Sequence, residues 1–312
     1  MTLPVSPNSI SFNQVNVELN RTGTLSLSLN DSIVRALFGV ASGTISMSNG
    51  HGKSNVFVFT LASGYSIDLR NAAIAAGWNG TSRVQATTSG NIGAANTSSY
   101  ALIVTGSFPN GVTLINNHSI VGAGGLGGRG HYVSAQGSEN TGGTGYSGLS
   151  STGGAGGPAL NATVALTLQN NGTIAGGGGG GGGGYHGDYP FGGSGGGGGA
   201  GLPAGLGGRA QRYVTVTINN YGATQQNDTH NTAGSGGTLT AGGSGGPGGY
   251  IGGYGDNRYG NHGGVGGGLG SSGGGNVWVR QGTAAPGAGG AAIVGNGNIT
   301  YTATGTRSGS IS

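Results

Sequence analysis

QNNGTIAGGGGGGGGGYHGDYPFGGSGGGGGAG, residues 169–201, sets two nearly pure glycine runs around one short aromatic and titratable segment. Glycine loses more conformational entropy on folding than any other residue and has no side chain to bury, so such a run ordinarily reads as a linker. A linker gives no reason to place Tyr185, His186, Asp188, Tyr189 and Phe191 between its halves.

The glycine is not spread evenly. Of 80 glycines in 312 residues, 12 precede Gly122, which leaves 68 for the last 191 positions, and the composition changes near residue 121. The tracts also keep phase. In 122–130 the other residues are Ala123, Leu126 and Arg129; after Ala233 they fall at Ser235, Thr238, Ala241, Ser244, Pro247 and Tyr250, with Leu239 and Thr240 out of step. Three residues per turn is the period of the polyproline II helix, but collagen needs one glycine per turn and much proline, whereas this chain has 8 prolines. The pattern predicts three-fold polyglycine II helices with two bare edges, which pack side by side and bond through their backbones, while the third edge carries a residue outward. Disorder is the competing reading of so much glycine, and the phase argues against it.

Upstream, the sequence reads as ordinary β-rich structure. LSLSLNDSIVRALFGV (25–40) predicts a strand, a cap at Asn30 or Asp31, helical turns through Phe38 and a stop at Gly39. SNVFVFTLASGYSIDL (54–69) alternates in the strand period, NAAIAAGWNG (71–80) is a short helix closed by Gly77, and 84–115 reads as strand, turn, strand. A repeat then links the two regions: TLINNHSIVGAGG from Thr113, TLQNNGTIAGGGG from Thr167 and VTINNYGAT from Val216, at offsets of 54 and 49 residues. Each copy reads as a β segment, a turn made by Asn residues in left-handed conformation, and a glycine tract. The expected fold is mainly β with irregular structure, in three parts: 1–54 with strands and a short helix, a β-rich domain at 55–121, and a polyglycine II bundle at 122–312.

Charge and cysteine content exclude several functions. Charged residues are 6% of the chain, with 11 basic and 7 acidic side chains scattered along it, so nucleic acid is not an expected partner. There is no cysteine and hence no disulfide framework or thiolate metal site. No stretch approaches the ~20 apolar residues of a membrane span, and MTLPVSPNSISFN lacks the features of a secretory signal, so synthesis in a host cytoplasm without membrane insertion is expected. NGHGKS (49–54) ends like a phosphate-binding loop, but Met47 stands where the motif needs its first glycine, and Lys53 reads as a surface charge. Ser194, Ser244 and Ser272 each sit in G-x-S-x-G, a pattern that glycine and serine abundance produces by chance. His186 with Asp188, and Asp256 with His262, offer at most an adventitious metal pair. No enzyme and no cofactor are expected.

If the tracts are packed rods, the segments between them are turns at the ends of the bundle, and the aromatics concentrate there. The candidate tips are 129–148 with His131, Tyr132 and Tyr146; 185–191; 250–262 with Tyr250, Tyr254, Asp256, Arg258, Tyr259 and His262; and 276–282 with Trp278 and Arg280. Tyr, Trp and Arg on loops held by a rigid frame give large contact area at low entropic cost. Those aromatics serve equally as lids that cover the bundle ends.

The repeated Asn pair leading into long glycine runs, broken by aromatic segments, resembles the receptor-recognising tail-fibre adhesins of T-even-type bacteriophages and related phage tail proteins. That resemblance covers about 110–300. It implies polyglycine II helices as scaffold, with 185–191 and 250–262 as loops that contact outer-membrane proteins or sugars of the host. Residues 10–54 instead resemble a segment found in assorted phage virion proteins, which implies that the chain brings its own anchor. The expectation is a virion protein of the tail or fibre that binds a host receptor and docks on other tail proteins through 1–54. An assembly of identical chains, a trimer among the forms considered, is expected with it. The rival reading is a structural spike, collar or decoration protein whose loops bury against neighbouring subunits. An ice-binding protein would want flat arrays of Thr or Ala where this chain mixes Leu, Arg, Ser and Pro.

Overall fold

The computed structural model describes residues 2–19, 21–130, 151–184, 193–210, 233–247, 250–251, 258–259, 262–275 and 284–312. The first part is a small helical unit. Helix α1 (Phe12–Glu18) opens with a capping box, in which the Gln14 N–H donates to Ser11 Oγ (3.2 Å) and the Ser11 N–H to Gln14 Oε1 (2.8 Å). Helix α2 (Ser32–Phe38) follows Asp31 and ends at Gly39 with φ 72°, a left-handed stop that glycine takes without strain. Leu3, Val15, Leu19, Val34, Leu37 and Phe38 form its own buried core. The strand expected at 25–29 is absent, and no described residue before Val56 lies in a strand. Asn16 Nδ2 donates to the Gly23 and Leu25 carbonyls (3.3 and 2.7 Å) and holds that stretch as a loop, while Leu27 and Leu29 turn in against the small core.

The strand-periodic segments become rungs of a three-sided parallel β-solenoid. The first rung is β1 (Val56–Leu61), β2 (Gly64–Tyr65) and β3 (Ile67–Asp68), followed by helix α3 (Leu69–Ala75). The second is β4 (Arg83–Thr88), β5 (Ile92–Gly93) and β6 (Leu102–Val104); the third is β7 (Val112–Asn116), β8 (Ser119–Val121) and β9 (Leu160–Ala162). The fourth begins with β10 (Leu166–Asn170) and β11 (Thr173–Ala175). It closes, after the isolated pair β12 (Tyr250–Ile251) and β13 (Arg258–Tyr259), with β14 (Ile293–Val294). The fifth is β15 (Ile299–Ala303) and β16 (Thr306–Ser308), completed by a parallel bridge from Ile311 to Ile293. One five-stranded sheet runs β1-β4-β7-β10-β15, a second β16-β11-β8-β5-β2, and a four-stranded third β14-β9-β6-β3. Every pair in these three sheets is parallel.

The alternation of each strand sends one face inward. In β7 and β10 the buried residues are Val112, Leu114, Asn116 and Leu166, Leu168, Asn170, which pair in register across the two rungs. Each fully buried Leu or Ile contributes roughly 1.5–3 kcal/mol. The first Asn of each repeated pair is buried as well and stacks on its counterpart. Asn116 Nδ2 donates to Asn170 Oδ1 (2.7 Å), Thr88 Oγ1 donates to Asn116 Oδ1 (3.1 Å), and Asn170 Nδ2 reaches the Thr304 carbonyl (2.8 Å). The pair therefore acts through a side-chain ladder, not through left-handed backbone, since Ser66 alone among described non-glycine residues has positive φ. The third expected copy, from Val216, lies outside the described residues. The strand that continues the ladder beyond β10 is β15.

Strands from both sides of position 121 share all three sheets, so a division there cuts across the solenoid. The glycine-rich tracts leave between the second and third sheets, as an insertion at 122–159 in the third rung and at 176–292 in the fourth. They lie outside helix and strand and are bonded to one another. The 176–184 tract shows the rule. Its N–H groups donate to the 151–159 tract from Gly177, Gly180 and Gly183, to the 193–201 tract from Gly178, Gly181 and Gly184, and to the 271–275 tract from Gly179 and Gly182, at 2.8–3.3 Å. Its carbonyls accept from three further tracts in the same rotation: Gly290 and Gly287, Gly125 and Gly128, Gly267 and Gly264. The 193–201 tract is enclosed in the same way.

The two tracts quoted at the outset are thus the interior of the bundle. A Cβ on any residue from Gly176 to Gly183 would overlap a neighbouring carbonyl. The tracts that keep a residue at every third position lie at the periphery, with Leu126, Arg129, Pro203, Leu206 and Arg209 exposed. We expect Gly180→Ala, whose Cβ would collide with the Leu126 carbonyl, to lower unfolding stability by about 3 kcal/mol or more. The loss of unfolded-chain entropy alone would raise stability by about 0.4–1 kcal/mol, so the sign isolates the packing effect. Ala155→Gly, at an exposed peripheral position, should change it by less than about 1 kcal/mol; denaturant melts compare the two.

Candidate functional site

The tracts run alternately away from the solenoid and back to it. Near the solenoid they are joined by short turns: Gly201–Ala204 with a cis Leu202–Pro203 bond, Leu239–Thr240, and Gly270 with φ 66°. The first of these seats against the second rung, where Leu202 O accepts from the Ala94 N–H (2.9 Å) and where a Cβ on Gly93 would collide with Leu202.

At the other end five intervals open: 131–150, 185–192, 211–232, 248–261 and 276–283. Their anchoring residues are tied together by the same backbone bonds. The Gly130 N–H donates to Arg209 O (3.1 Å), Arg129 N–H to Ser151 Oγ (2.6 Å), Gly183 to Ser151 O (3.2 Å) and Gly184 to Ser194 O (2.9 Å). Gly246 donates to Gly195 O, Gly263 to Gly246 O and Gly182 to Gly274 O, and Ser194 Oγ reaches Pro247 O. Gly182 also lies beside the Ala284 carbonyl, which brings in the last tract. One end of the molecule therefore holds both roots of every long interval, and a frame bonded mainly through the main chain fixes where each interval begins.

The structure describes only part of the expected site. Tyr185, His186, Asp188, Tyr189 and Phe191, together with Tyr254, Asp256 and Trp278, lie outside the described residues, and so do His131, Tyr132, Tyr146 and Arg280. Tyr250 and Arg258–Tyr259 are the strands β12 and β13, which pair antiparallel with Tyr250 opposite Tyr259 and Ile251 opposite Arg258. The 250–262 segment thus begins and closes as a hairpin. His262, where the next tract starts, is exposed. The sequence of the interval 211–232, with Arg212, Tyr213 and Tyr221, reads as a repeat, not as a tip. The signal for it was available, because phase-keeping tracts flank it on both sides. After Gly122 every acidic residue of the chain, Glu139, Asp188, Asp228 and Asp256, falls in one of these intervals. Among the described residues no group of His, Asp and Glu could hold a metal ion, and no helix is long and apolar enough to cross a membrane.

Comparison with known proteins gives this geometry a context. The sequence profile of the phage tail fibre adhesin Gp38 family matches residues 56–312, which takes in the whole solenoid and every glycine tract. The chain belongs to that family. This adhesin is therefore a component of a phage tail fibre, and its helical unit before residue 56 lies outside the family match. Its fold is similar to the crystal structure of the gp37-gp38 adhesin tip complex of the bacteriophage S16 long tail fiber, at 22% identity over 96% of each chain and a TM-score of 0.55. Comparison with curated proteins gives no match.

Because both roots of each loop sit in the bonded frame, the adhesin's loops are expected to be removable without loss of the fold. Replacing 276–283 by a short Gly-Ser link should leave the melting temperature within a few degrees of the parent by circular dichroism. Loss of cooperative melting would show that the loop carries part of the frame.

Proposed function

We propose that this adhesin recognises a receptor on the host surface through the loops at the far end of its glycine bundle. The observation that carries the reading is the convergence of all five long intervals on one end, opposite the solenoid. In this reading the tracts are polyglycine II helices, at three residues per turn and about 3.1 Å per residue, so a nine-residue tract is a rod of about 28 Å. The rotation of donors among three neighbours, the exposure of Leu126, Arg129, Leu206 and Arg209 at a spacing of three and the lack of room for a Cβ on any residue from Gly176 to Gly183 support it. Tyr250, Tyr254, Asp256, Arg258, Tyr259 and His262 on the hairpin-rooted segment, Tyr185 to Phe191 on the second loop and Trp278 on the fifth are the contact residues we assign. Their aromatic rings supply area and their polar ends supply direction. Binding, not bond making, is the activity.

The helical unit at 1–54 is assigned to attachment on other tail proteins. It has a separate core, it lies outside the family match, and it exposes Val5, Phe12, Val17, Leu25 and Ile33. The frame closes within one chain, so assembly with identical chains would serve attachment and avidity rather than folding.

The test is the triple replacement of Tyr254, Arg258 and Tyr259 by alanine. We expect an unchanged melting curve and at least a ~10-fold loss of adsorption to host cells, in line with the weight that Tyr and Arg carry at binding centres. Adsorption equal to the parent would move the site off this loop.

A further inference from the structure

The tracts at 122–130 and 203–210 lie side by side in strict register. Gly124, Gly127 and Gly130 donate to the carbonyls of Pro203, Leu206 and Arg209, at 2.9, 2.9 and 3.1 Å. The register aligns two columns, Ala123–Leu126–Arg129 and Pro203–Leu206–Arg209, all exposed but the buried Ala123, and sets Arg129 beside Arg209. Both arginines are exposed, and no hydrogen bond or ion pair to a described residue engages either guanidinium. Their row is the one next to the loop end, since 131–150 and 211–232 begin directly after it.

Two like charges at adjacent positions of a bonded frame repel each other unless an anion lies between them. The described residues of the glycine tracts contain no Asp or Glu that could play that part. A guanidinium offers a planar fork of donors, and two such forks on parallel columns match the several acceptor oxygens of one phosphate better than the two of a carboxylate. The row flanks the loops rather than sitting among them, so what it meets is whatever surrounds the receptor.

We infer that Arg129 and Arg209 form a paired site for phosphate groups displayed on the host membrane surface, gripped as the loops engage. The inference rests on the reading that the loop end faces the host. It assigns a second contact, beside the receptor and separate from the aromatic loops.

Vesicle co-sedimentation of the full chain tests it with no receptor present, so its failure is distinguishable from failure of the loop assignment. The probes are phosphatidylcholine vesicles with and without about a fifth of phosphatidic acid. Binding is expected only to the vesicles that carry the anionic phosphomonoester of phosphatidic acid, to fall with rising salt, and to weaken at least ~10-fold in R129Q/R209Q. The R129K/R209K variant, which keeps the charge and loses the fork, should fall between. R307Q removes one charge from the solenoid, as R129Q and R209Q each do from the bundle; Arg307 lies over the Tyr301 ring (4.9 Å), and R307Q should bind as the parent does. Equal binding by R129Q/R209Q and the parent would overturn the proposal, and so would an equal loss in R307Q, which would make net charge the cause. Competition by inorganic phosphate at the same concentration as vesicle phosphate would make it a free-anion site and overturn the surface assignment. Melting curves establish that the variants fold, and the single R129Q and R209Q variants decide if the double one does not.

Discussion

A hydrogen bond from one glycine backbone to another is the interaction on which the distal half of this adhesin depends. Net of competition with water, such a bond contributes about 1 kcal/mol, and a buried donor left without a partner costs about 1–3 kcal/mol. In the 176–184 and 193–201 tracts the backbone donors meet carbonyls of adjacent tracts, and no residue from Gly176 to Gly183 or from Gly195 to Gly199 has room for a Cβ. The absence of side chains is therefore a packing requirement. It removes the apolar surface that normally drives folding and replaces it with approach close enough for bonding in three directions at once.

The solenoid supplies what such a bundle lacks. Its rungs bury Leu114, Ile120, Leu160, Leu168, Ile174 and Ile293 in one apolar core, and the Thr88, Asn116, Asn170 and Thr304 ladder sets the register between rungs. Both insertions leave and rejoin at the same corner of the rungs. The tracts thus begin with their phase already set by paired strands. The Gly93–Leu202 seat locks one of their turns to the second rung. A rigid base, a bonded frame and loops at the far end follow in that order from the chain's connections.

Much of this was legible in the sequence, for definite reasons. The period of three showed because a peripheral tract tolerates a side chain only on its outward edge, and Leu126, Arg129, Leu206 and Arg209 mark that edge. The stops at Gly39 and Gly77 showed because both take positive φ at helix ends. The solenoid did not show. Strands β2, β3 and β5 are two residues long, too short to reveal alternation, and long insertions separate the parts of the third and fourth rungs. The Asn pair marked two rungs, but the fifth has Ala303–Thr304 in its place, and the Thr304 main-chain carbonyl does the accepting. The similar VTINN string at 216–220 lies outside the described residues. Aromatic clusters point to four of the five intervals, whereas the strand-like pattern of 211–232 outweighs the phase-keeping tracts on either side of it.

Amide hydrogen exchange resolved at the central glycines tests the account most directly. If tract-to-tract bonding holds the bundle, the N–H groups of Gly177 to Gly183 will exchange as slowly as those of Leu114 and Leu168 in the solenoid, and only through cooperative opening. Exchange of those glycines at the rate of an unstructured chain, while the solenoid stays protected, would contradict it.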